Sequence, residues 1–262
     1  MKRTFILILL ASSLFAQEKI IMGITTVVTT DLIEKRLSSF IAHIEKETGK
    51  SVEIQAGLDY KDTIQKFADG YYDIGFIGPI PYIKTLQNTP NSVKIVAGVK
   101  EMQPVAFQTA IVVKKGSPIK KLQDLEQKRF AFGSPQSTLS FYIPFMMLQE
   151  SDVLTKLARY DFLGRHDRVV QYVIMGKYDA GALMHSIARK YSQYIDIIAL
   201  SEPTPNFSIV VSSKLDAKLQ RKIEEATKTF KENEFFGLEK REDADYDYLR
   251  ELMLQVDNFT KK

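Results

Sequence analysis

The sequence predicts an α/β protein with largely parallel sheets, divided into two domains. Short strand-like runs alternate with amphipathic helix-like segments, which is the pattern of βαβ units. The 262 residues suffice for two domains of about 120 residues, each with its own core. No repeat, low-complexity tract or Gly/Ser-rich linker separates the halves, so the two domains are expected to share crossing strands.

The N-terminus has the features of an export signal. Met1-Lys2-Arg3 precedes an apolar run over 5–14, and Ala16 follows. This run is too short to span a bilayer, which takes about 20 residues, so we predict a signal peptide over 1–16. Leu14 stands where a small residue is typical, which leaves an earlier cleavage point open. A buried strand and an uncleaved anchor are the alternatives.

Composition restricts the partners and the cellular compartment. The net charge is +4, and removal of the signal takes away two of the positive charges, which leaves a nearly neutral protein without a basic cluster. Nucleic acid is therefore not an expected partner. The sequence has no cysteine, so packing must stabilise the fold and no thiol is available for a lipid anchor. We expect a periplasmic protein retained by an outer membrane, with secretion as the alternative.

The predicted elements follow one another in a regular order. Between the first two strands, Leu37, Phe40 and Ile44 recur near helical spacing, which predicts a helix over 31–46. A second apolar helix is expected over 141–148. The expected strands cover 19–24, 52–56, 73–77, 93–99, 109–114, 129–132, 159–163 and 179–184.

Two segments are candidates for strands that cross between the domains, 105–113 outward and 206–212 on return. Charged helices over 214–232 and 245–258 then complete the first domain. The predicted division is 17–105 with 206–262 for domain 1, and 106–205 for domain 2.

Polar motifs follow several of these strands. In open α/β sheets, ligands collect where the carboxyl ends of strands meet helix N-termini. The segment 133–140 is the most informative, because its hydroxyls and the free N–H groups of a helix N-terminus together suit an oxyanion. An ordinary N-cap at Ser137 or Thr138 is the alternative. The motifs are Asp59-Tyr60, Gly78-Pro79, Ser137-Thr138 and Gly164-Arg165-His166-Asp167.

In order and spacing these motifs resemble the PhnD-like substrate-binding proteins of phosphonate, phosphite and phosphate ABC transporters. The resemblance also includes the segment 73–79 with Tyr82, and 176–181. It implies a type II periplasmic-binding-protein fold, in which two domains close around a small oxyanion and deliver it to a permease in the inner membrane. We expect a monomer that needs no cofactor and no metal.

The resemblance also implies roles for individual residues. Ser137 and Thr138 would donate hydroxyl and helix N-terminal hydrogen bonds to the oxyanion, and Tyr60 would donate from the opposite domain. Gly78, which begins a helix, and Ser140 are also expected at the ligand.

Two further residues of the last motif are candidates. His166 would supply another donor, as a neutral imidazole or as imidazolium. Asp167 would orient His166 or face a cationic part of the ligand.

The chain departs from the family pattern in three places. Leu139 replaces a hydroxyl in the Ser-Thr-Ser-Gly run, so the third hydroxyl is missing or displaced to Ser140. Phe107 stands where some relatives have a second tyrosine. No acidic residue occurs over 183–186 to pair with the ammonium group of an aminoalkylphosphonate. We therefore expect a small oxyanion or an altered ligand.

Other functions remain as alternatives. A Gly-x-Ser-x-Gly elbow, a paired-histidine zinc motif, a P-loop and a cysteine nucleophile are all missing from the sequence, so we do not expect an enzyme. A ligand-sensing module with a membrane sensor as partner would use the same cleft. A relative that has drifted to an organic ligand is the third possibility.

Overall fold

Two β-sheets organise the described part of the chain. The computed structural model describes residues 19–25, 30–100, 102, 106–233 and 236–260. The predicted signal peptide, 1–16, lies outside the described residues. Within the described ranges, no helix is long and apolar enough to cross a membrane.

Eleven strands and eight α-helices make up the described fold. The strands are β1 (Ile20–Ile24), β2 (Val52–Ala56), β3 (Ile74–Ile77), β4 (Val93–Lys100), β5 (Thr109–Lys114), β6 (Arg129–Phe132), β7 (Arg159–Phe162), β8 (Ala180–Met184), β9 (Ile195–Leu200), β10 (Ser208–Ser212) and β11 (Gly237–Glu239). The helices are α1 (Thr30–Thr48), α2 (Tyr60–Ala68), α3 (Pro79–Asn88), α4 (Ile143–Glu150), α5 (His166–Ile174), α6 (His185–Lys190), α7 (Ala217–Thr229) and α8 (Asp247–Thr260). A π-helical turn, Thr138–Tyr142, directly precedes α4.

Sheet A has the strand order β11-β4-β10-β3-β1-β2. Strands β2, β1 and β3 are parallel, and β10 runs antiparallel between β3 and β4. Sheet B has the order β7-β6-β8-β5-β9, with β7, β6 and β8 parallel and β5 antiparallel to both of its neighbours. Both sheets are therefore mixed. The chain enters sheet B at β5 and returns to sheet A at β10, and each of these strands runs antiparallel to both of its neighbours.

Two connections join the sheets, one from β4 to β5 and one from β9 to β10. They lie against each other, because the N–H of Thr204 donates to the carbonyl of Phe107 at 3.0 Å. The return connection is also tied to sheet A, where the N–H of Val99 donates to the carbonyl of Phe207 at 2.7 Å. The two crossing connections are therefore hydrogen-bonded to each other, and the return connection is hydrogen-bonded to sheet A.

The predicted strands and helices agree with the structure within a few residues. Two strands, β9 and β11, were not predicted. Both lie at sheet edges, and β11 has only three residues. The last helix, α8, packs on α3, on the π-helical turn and on α4. It therefore contacts helices that are associated with both sheets.

Candidate functional site

A small pocket lies between the carboxyl ends of the parallel strands of the two sheets. The space between its walls, counted out into open solvent, is about 230 Å³. Four helices contribute their first residue to its wall: Tyr60 of α2, Pro79 of α3, Thr138 of the π-helical turn and His166 of α5. Helix N-termini carry partial positive charge, so the pocket favours an anion. The other lining residues are Thr25, Gly78, Pro81, Phe107, Ser137, Leu139, Met184 and Phe207.

Tyr60 reaches the pocket from the side of sheet A. The Asp59 carboxylate accepts the N–H of Asp62 at 2.8 Å, and the Asp62 carboxylate accepts the N–H of Leu58 at 2.8 Å, which fixes the turn into α2. The Tyr60 side chain is buried, no described group meets its hydroxyl with full hydrogen-bond geometry, and the Ser137 side chain lies close enough to oppose the rise of its pKa. Burial raises the pKa of this phenol. The hydroxyl therefore stays protonated and is free to donate to a ligand.

The π-helical turn presents Ser137 and Thr138 to the pocket. The N–H of Tyr142 donates to the Ser137 carbonyl at 3.1 Å, which is a separation of five residues. Pro144 has no N–H, so the carbonyl of Ser140 lacks its usual helical donor and instead accepts the N–H of Gly133 at 3.0 Å. The turn is thereby held against the end of β6. Wide turns of this kind are frequent at functional sites.

Ser137 is both an N-cap and a lining residue. Its Oγ accepts the N–H of Ser140 at 3.2 Å, as the capping alternative predicted. The same hydroxyl lies in the pocket wall. The two interpretations of this motif are therefore compatible.

His166 is fully buried at the start of α5. The N–H of Met184 donates to Nδ1 at 2.9 Å, so the ring proton must be on Nε2. Burial lowers the pKa of His166 to about 4, which keeps the imidazole neutral near pH 7. Nε2 lies 3.4 Å from Ser137 Oγ and acts as the donor in that contact. Of the two expected forms of this donor, the structure favours the neutral one.

A hydrogen bond crosses the pocket from sheet A to sheet B. The N–H of Ile80 donates to Thr138 Oγ1 at 3.0 Å. Pro79 and Pro81 flank Ile80 and have no N–H, so Ile80 is the only donor among the first three residues of α3. This bond links the start of α3, on the side of sheet A, to the π-helical turn on the side of sheet B.

The rest of the wall is apolar and uncharged. Phe107 and Phe207 come from the two crossing connections, and their rings meet edge to face at 5.6 Å between centroids. Phe207 also stacks on Phe76 at 4.5 Å. None of the described lining residues carries a carboxylate, an ammonium or a guanidinium group. Recognition of an anion must therefore rely on neutral donors and helix dipoles.

Two of the expected site residues do not line the pocket. Ser140 is buried behind it, where the closeness of its side chain leaves no room for a Cβ on Gly133. Asp167 forms a bidentate ion pair with Arg165, at 3.0 and 2.6 Å. This pair occupies both carboxylate oxygens, so Asp167 neither orients His166 nor faces a ligand in this structure. Gly78 does line the pocket.

Several lining residues were not predicted from the sequence. Thr25 directly follows β1, and its hydroxyl accepts the N–H of Gly78 at 3.4 Å. The rule that ligands collect after the carboxyl ends of strands would have found Thr25, which stands in the same relation to its strand as Gly78. Phe207 and Met184 carried no comparable signal, because apolar residues in strands usually form the core.

Known proteins resemble this chain in sequence. A family described as "ABC transporter, phosphonate, periplasmic substrate-binding protein" matches residues 22–261. The probable ABC transporter phosphite-binding protein PhnD1 of Prochlorococcus marinus (strain MIT 9301) is 27% identical over 183 residues, 66% of this chain and 61% of that protein. The phosphate-import protein PhnD of Mycolicibacterium smegmatis is 27% identical over 160 residues, 57% of this chain and 50% of that protein. The chain thus matches between about half and three fifths of the length of these two relatives.

The fold is also found among solved structures. PhnD1 of Prochlorococcus marinus, solved in complex with methylphosphonate, superposes with a TM-score of 0.81 and 18% identity, over 91% of this chain and 98% of that chain. A binding protein component of an ABC phosphonate transporter from Pseudomonas aeruginosa gives a TM-score of 0.79 and 17% identity, over 91% and 86%. These likenesses show the fold.

Proposed function

The chain belongs to the family of periplasmic substrate-binding proteins of phosphonate ABC transporters, and on this premise we propose that it captures a small phosphorus oxyanion between its two sheets. The family is one of solute-binding proteins, and the fold is the type II periplasmic-binding-protein fold. The observation that carries the proposal is the pocket, which joins hydroxyl donors from both sheets to the N-termini of four helices.

Binding in such a pocket favours closure. Tyr60 and Thr25 belong to the side of sheet A, while Ser137, Thr138 and His166 belong to the side of sheet B. A ligand that bonds to both groups has its full set of contacts only in the closed state, so it shifts the population towards closure. A membrane permease can recognise this change of shape.

The chemistry of the wall supports a ligand with one apolar corner. Phe107, Leu139, Met184 and Phe207 offer no hydrogen bond to a fourth oxygen. They suit the P–H group of phosphite or the methyl group of methylphosphonate better than phosphate. The lining residues include no carboxylate that could bind the ammonium group of aminoethylphosphonate. Relatives described as a phosphite-binding protein and as a complex with methylphosphonate support this choice.

We further propose the cellular setting of the protein. The signal peptide over 1–16 would direct it to the periplasm, where it would work as a monomer and pass its ligand to an ABC transporter permease, with no catalysis. The bodies that close would be 17–105 with 206–262, and 106–205. The paired crossing connections at Phe107 and Thr204 support a hinge at these boundaries.

A thermal-shift panel tests the ligand class. The protein would be heated with phosphite, methylphosphonate, phosphate, aminoethylphosphonate, sulfate and a set of organic acids. A ligand present at a concentration of about 100 times its Kd stabilises the folded protein by about 2.7 kcal/mol, which raises the melting temperature measurably. We expect the largest shifts with phosphite and methylphosphonate. Stabilisation by organic acids alone would contradict the proposal.

The variant Ser137→Ala tests the site. It removes one hydrogen bond to a charged ligand and should weaken binding by about 1.5 to 3 kcal/mol in calorimetry. Ser134→Ala is the matched control, because Ser134 lies in the same turn, caps the N–H of Gln136 and does not line the pocket. Equal affinities of the two variants would show that the oxyanion binds elsewhere.

A further inference from the structure

We propose that the protein has a second anion site, a basic cavity at the edge of sheet B opposite the pocket, which takes a phosphate compound with two or more negative charges. The space between the walls of this cavity, counted out into open solvent, is about 740 Å³, compared with about 230 Å³ for the pocket. The residues that matter for this proposal are Lys114, Lys115, Ser117, Lys128 and Asp179 of its wall.

The cavity lies where β5 ends and where β6 and β8 begin. Lys114 ends β5, Lys128 precedes β6 and Asp179 precedes β8. Strand β8 then runs from the cavity to Met184 in the wall of the pocket. A strand rises about 3.3 Å per residue, so about 17 Å separates Asp179 from Met184. The two sites share no lining residue, and the cavity has no part in the proposed function.

Strand pairing places the two lysines on the two sides of β8. Ala180 of β8 pairs with Val113 of β5 on one side and with Phe130 of β6 on the other. Adjacent strands lie about 4.8 Å apart, so β5 and β6 are separated by about 10 Å across β8. A lysine ammonium group stands on a flexible four-carbon stem. The ammonium groups of Lys114 and Lys128 can therefore reach one ligand together.

The two carboxylates in and next to the cavity are already bound by the protein. Asp179 accepts the Arg129 guanidinium at 2.9 and 3.1 Å and the Arg129 N–H at 2.8 Å. Asp196 accepts Lys115 Nζ at 2.7 Å and the N–H of Gly116 at 3.0 Å. The hydrogen bonds from Arg129 and Lys115 lower the pKa of these carboxyl groups. Both carboxylates are therefore ionised and have cationic partners within the protein.

Cationic groups remain in excess around the cavity. A second cation acts on each carboxylate, Lys128 on Asp179 and Lys120 on Asp196. Among the residues that the structure describes, none forms a hydrogen bond or an ion pair with the ammonium group of Lys114 or Lys128. Lys128 is nonetheless half-buried, and lysines that leave solvent are usually paired. An anion in the cavity would supply the missing partner.

The available donors favour a compact oxyanion with several charges. Lysine binds phosphate as a point charge, whereas the planar fork that suits a carboxylate belongs to Arg129, which is engaged with Asp179. Ser117 Oγ accepts the N–H of Ile119 at 3.2 Å, and a hydroxyl in this position can still donate to a ligand oxygen. Phosphate groups with this charge occur free in solution and in lipid headgroups.

Calorimetry with pyrophosphate tests the site. Pyrophosphate carries at least two negative charges near neutral pH. The double variant Lys114→Gln, Lys128→Gln should bind it on the order of tenfold more weakly, because two ammonium groups are lost from the cavity. The double variant Lys218→Gln, Lys222→Gln is the matched control, since it removes the same charge from exposed positions of α7. The affinity of this control for pyrophosphate should equal that of the unaltered protein.

Two further arms separate the cavity from the pocket and identify the source of the phosphate. Ser137→Ala alters the pocket and should leave pyrophosphate binding unchanged. Vesicles of phosphatidylcholine with phosphatidic acid present a phosphate monoester on a lipid, and co-sedimentation measures binding to them. Binding to pyrophosphate alone assigns the site to free phosphate compounds. Binding to the vesicles alone, lost in the double variant Lys114→Gln, Lys128→Gln, assigns it to a lipid headgroup.

Three outcomes would overturn the proposal. The first is that neither probe binds. The second is that both lysine double variants weaken binding equally, which would indicate a general effect of net charge. The third is that Ser137→Ala abolishes pyrophosphate binding while Lys114→Gln, Lys128→Gln does not, which would place pyrophosphate in the pocket. Failure of phosphite and methylphosphonate to bind would contradict the proposed function and leave these outcomes unaffected.

Discussion

The imidazole of His166 gives the pocket a donor without giving it a charge. The tautomer of this imidazole is set by a single backbone group, the N–H of Met184 at the end of β8. This contact leaves Nδ1 without a proton, and complete burial opposes protonation. His166 therefore acts as a neutral side chain with one fixed N–H, in the way that an amide side chain would.

The low pKa of His166 predicts acid sensitivity. In the unfolded chain the imidazole binds a proton near pH 6.5, and in the folded protein only near pH 4. The free energy of unfolding should therefore fall as the pH drops through this window, by on the order of 3 kcal/mol. NMR titration of the histidine ring protons checks this value directly, with His166→Gln identifying the resonance. A titration midpoint near 6.5 in the folded protein would contradict it.

Individual site residues were predictable to different degrees. Tyr60, Ser137 and Thr138 were predicted because each follows a strand at a helix start, and all three lie in the pocket wall. Asp167 does not line the pocket and pairs with Arg165, a contact that residue order alone does not reveal, so its role at a ligand stays a prediction. Whether the wall residues bind the ligand stays a prediction until the variants are measured.

The junction between β6 and α4 depends on close packing. A Cβ on Gly133 would lie 2.1 Å from Oγ and 2.7 Å from Cβ of Ser140. Gly133 and Ser140 therefore approach each other across the π-helical turn. This packing explains the position of Ser140, whose buried hydroxyl lies against Gly133 and does not line the pocket.

The variant Gly133→Ala should disrupt this junction. Overpacking typically costs about 1 to 3 kcal/mol of unfolding free energy, and displacement of the turn should also weaken ligand binding. Urea unfolding measures the loss of unfolding free energy, and calorimetry measures the loss of ligand affinity. The double variant Gly133→Ala, Ser140→Gly should recover stability, because it removes both atoms in contact with the new methyl group.

Gly78→Ala is the comparison for this test. A Cβ there would meet Phe207 at 3.6 Å, an ordinary contact, so its effect on stability should be within about 0.5 kcal/mol. If Gly133→Ala is no more destabilising than Gly78→Ala, the packing argument is incorrect.

The elements themselves were largely predictable from the sequence. Strands such as β5 and β6 have the predicted bounds, because their apolar runs end at charged or glycine residues. The π-helical turn was not predicted, since it depends on contacts of Gly133 and Thr109 with carbonyls freed in the helix. Edge strand β9 was missed because its alternation of polar and apolar residues is weak.

At the scale of the whole molecule, α8 connects the helices of the two sheets. Phe259 of α8 packs edge to face on Phe145 of α4 at 5.5 Å. Tyr142 donates to Asp257 of α8 at 3.5 Å, and Lys84 of α3 lies over the Tyr142 ring at 5.2 Å. Burial lowers the pKa of Lys84. The helix thus contacts helices that are associated with both sheets.

The variant Phe259→Ala should therefore favour opening. An aromatic pair contributes about 0.5 to 1.5 kcal/mol, which predicts a several-fold loss of affinity although the pocket itself is unchanged. Small-angle scattering of the ligand-free protein should show a larger radius of gyration. Leu254→Ala on the same helix is the control, because Leu254 is 63% exposed. Identical affinities for both variants would show that α8 does not influence closure.

The position of β10 determines the order in which the molecule can be assembled. All strands of sheet B occur within one continuous segment, 109–200, whereas β10 lies in the middle of sheet A, between β3 and β4. A nascent chain can therefore complete sheet B while β3 and β4 still lack the strand that joins them. Unpaired strand edges promote aggregation. Sheet A stays exposed to this hazard until residue 212 has been synthesised, and the pocket, which needs both sheets, cannot form before β10 does.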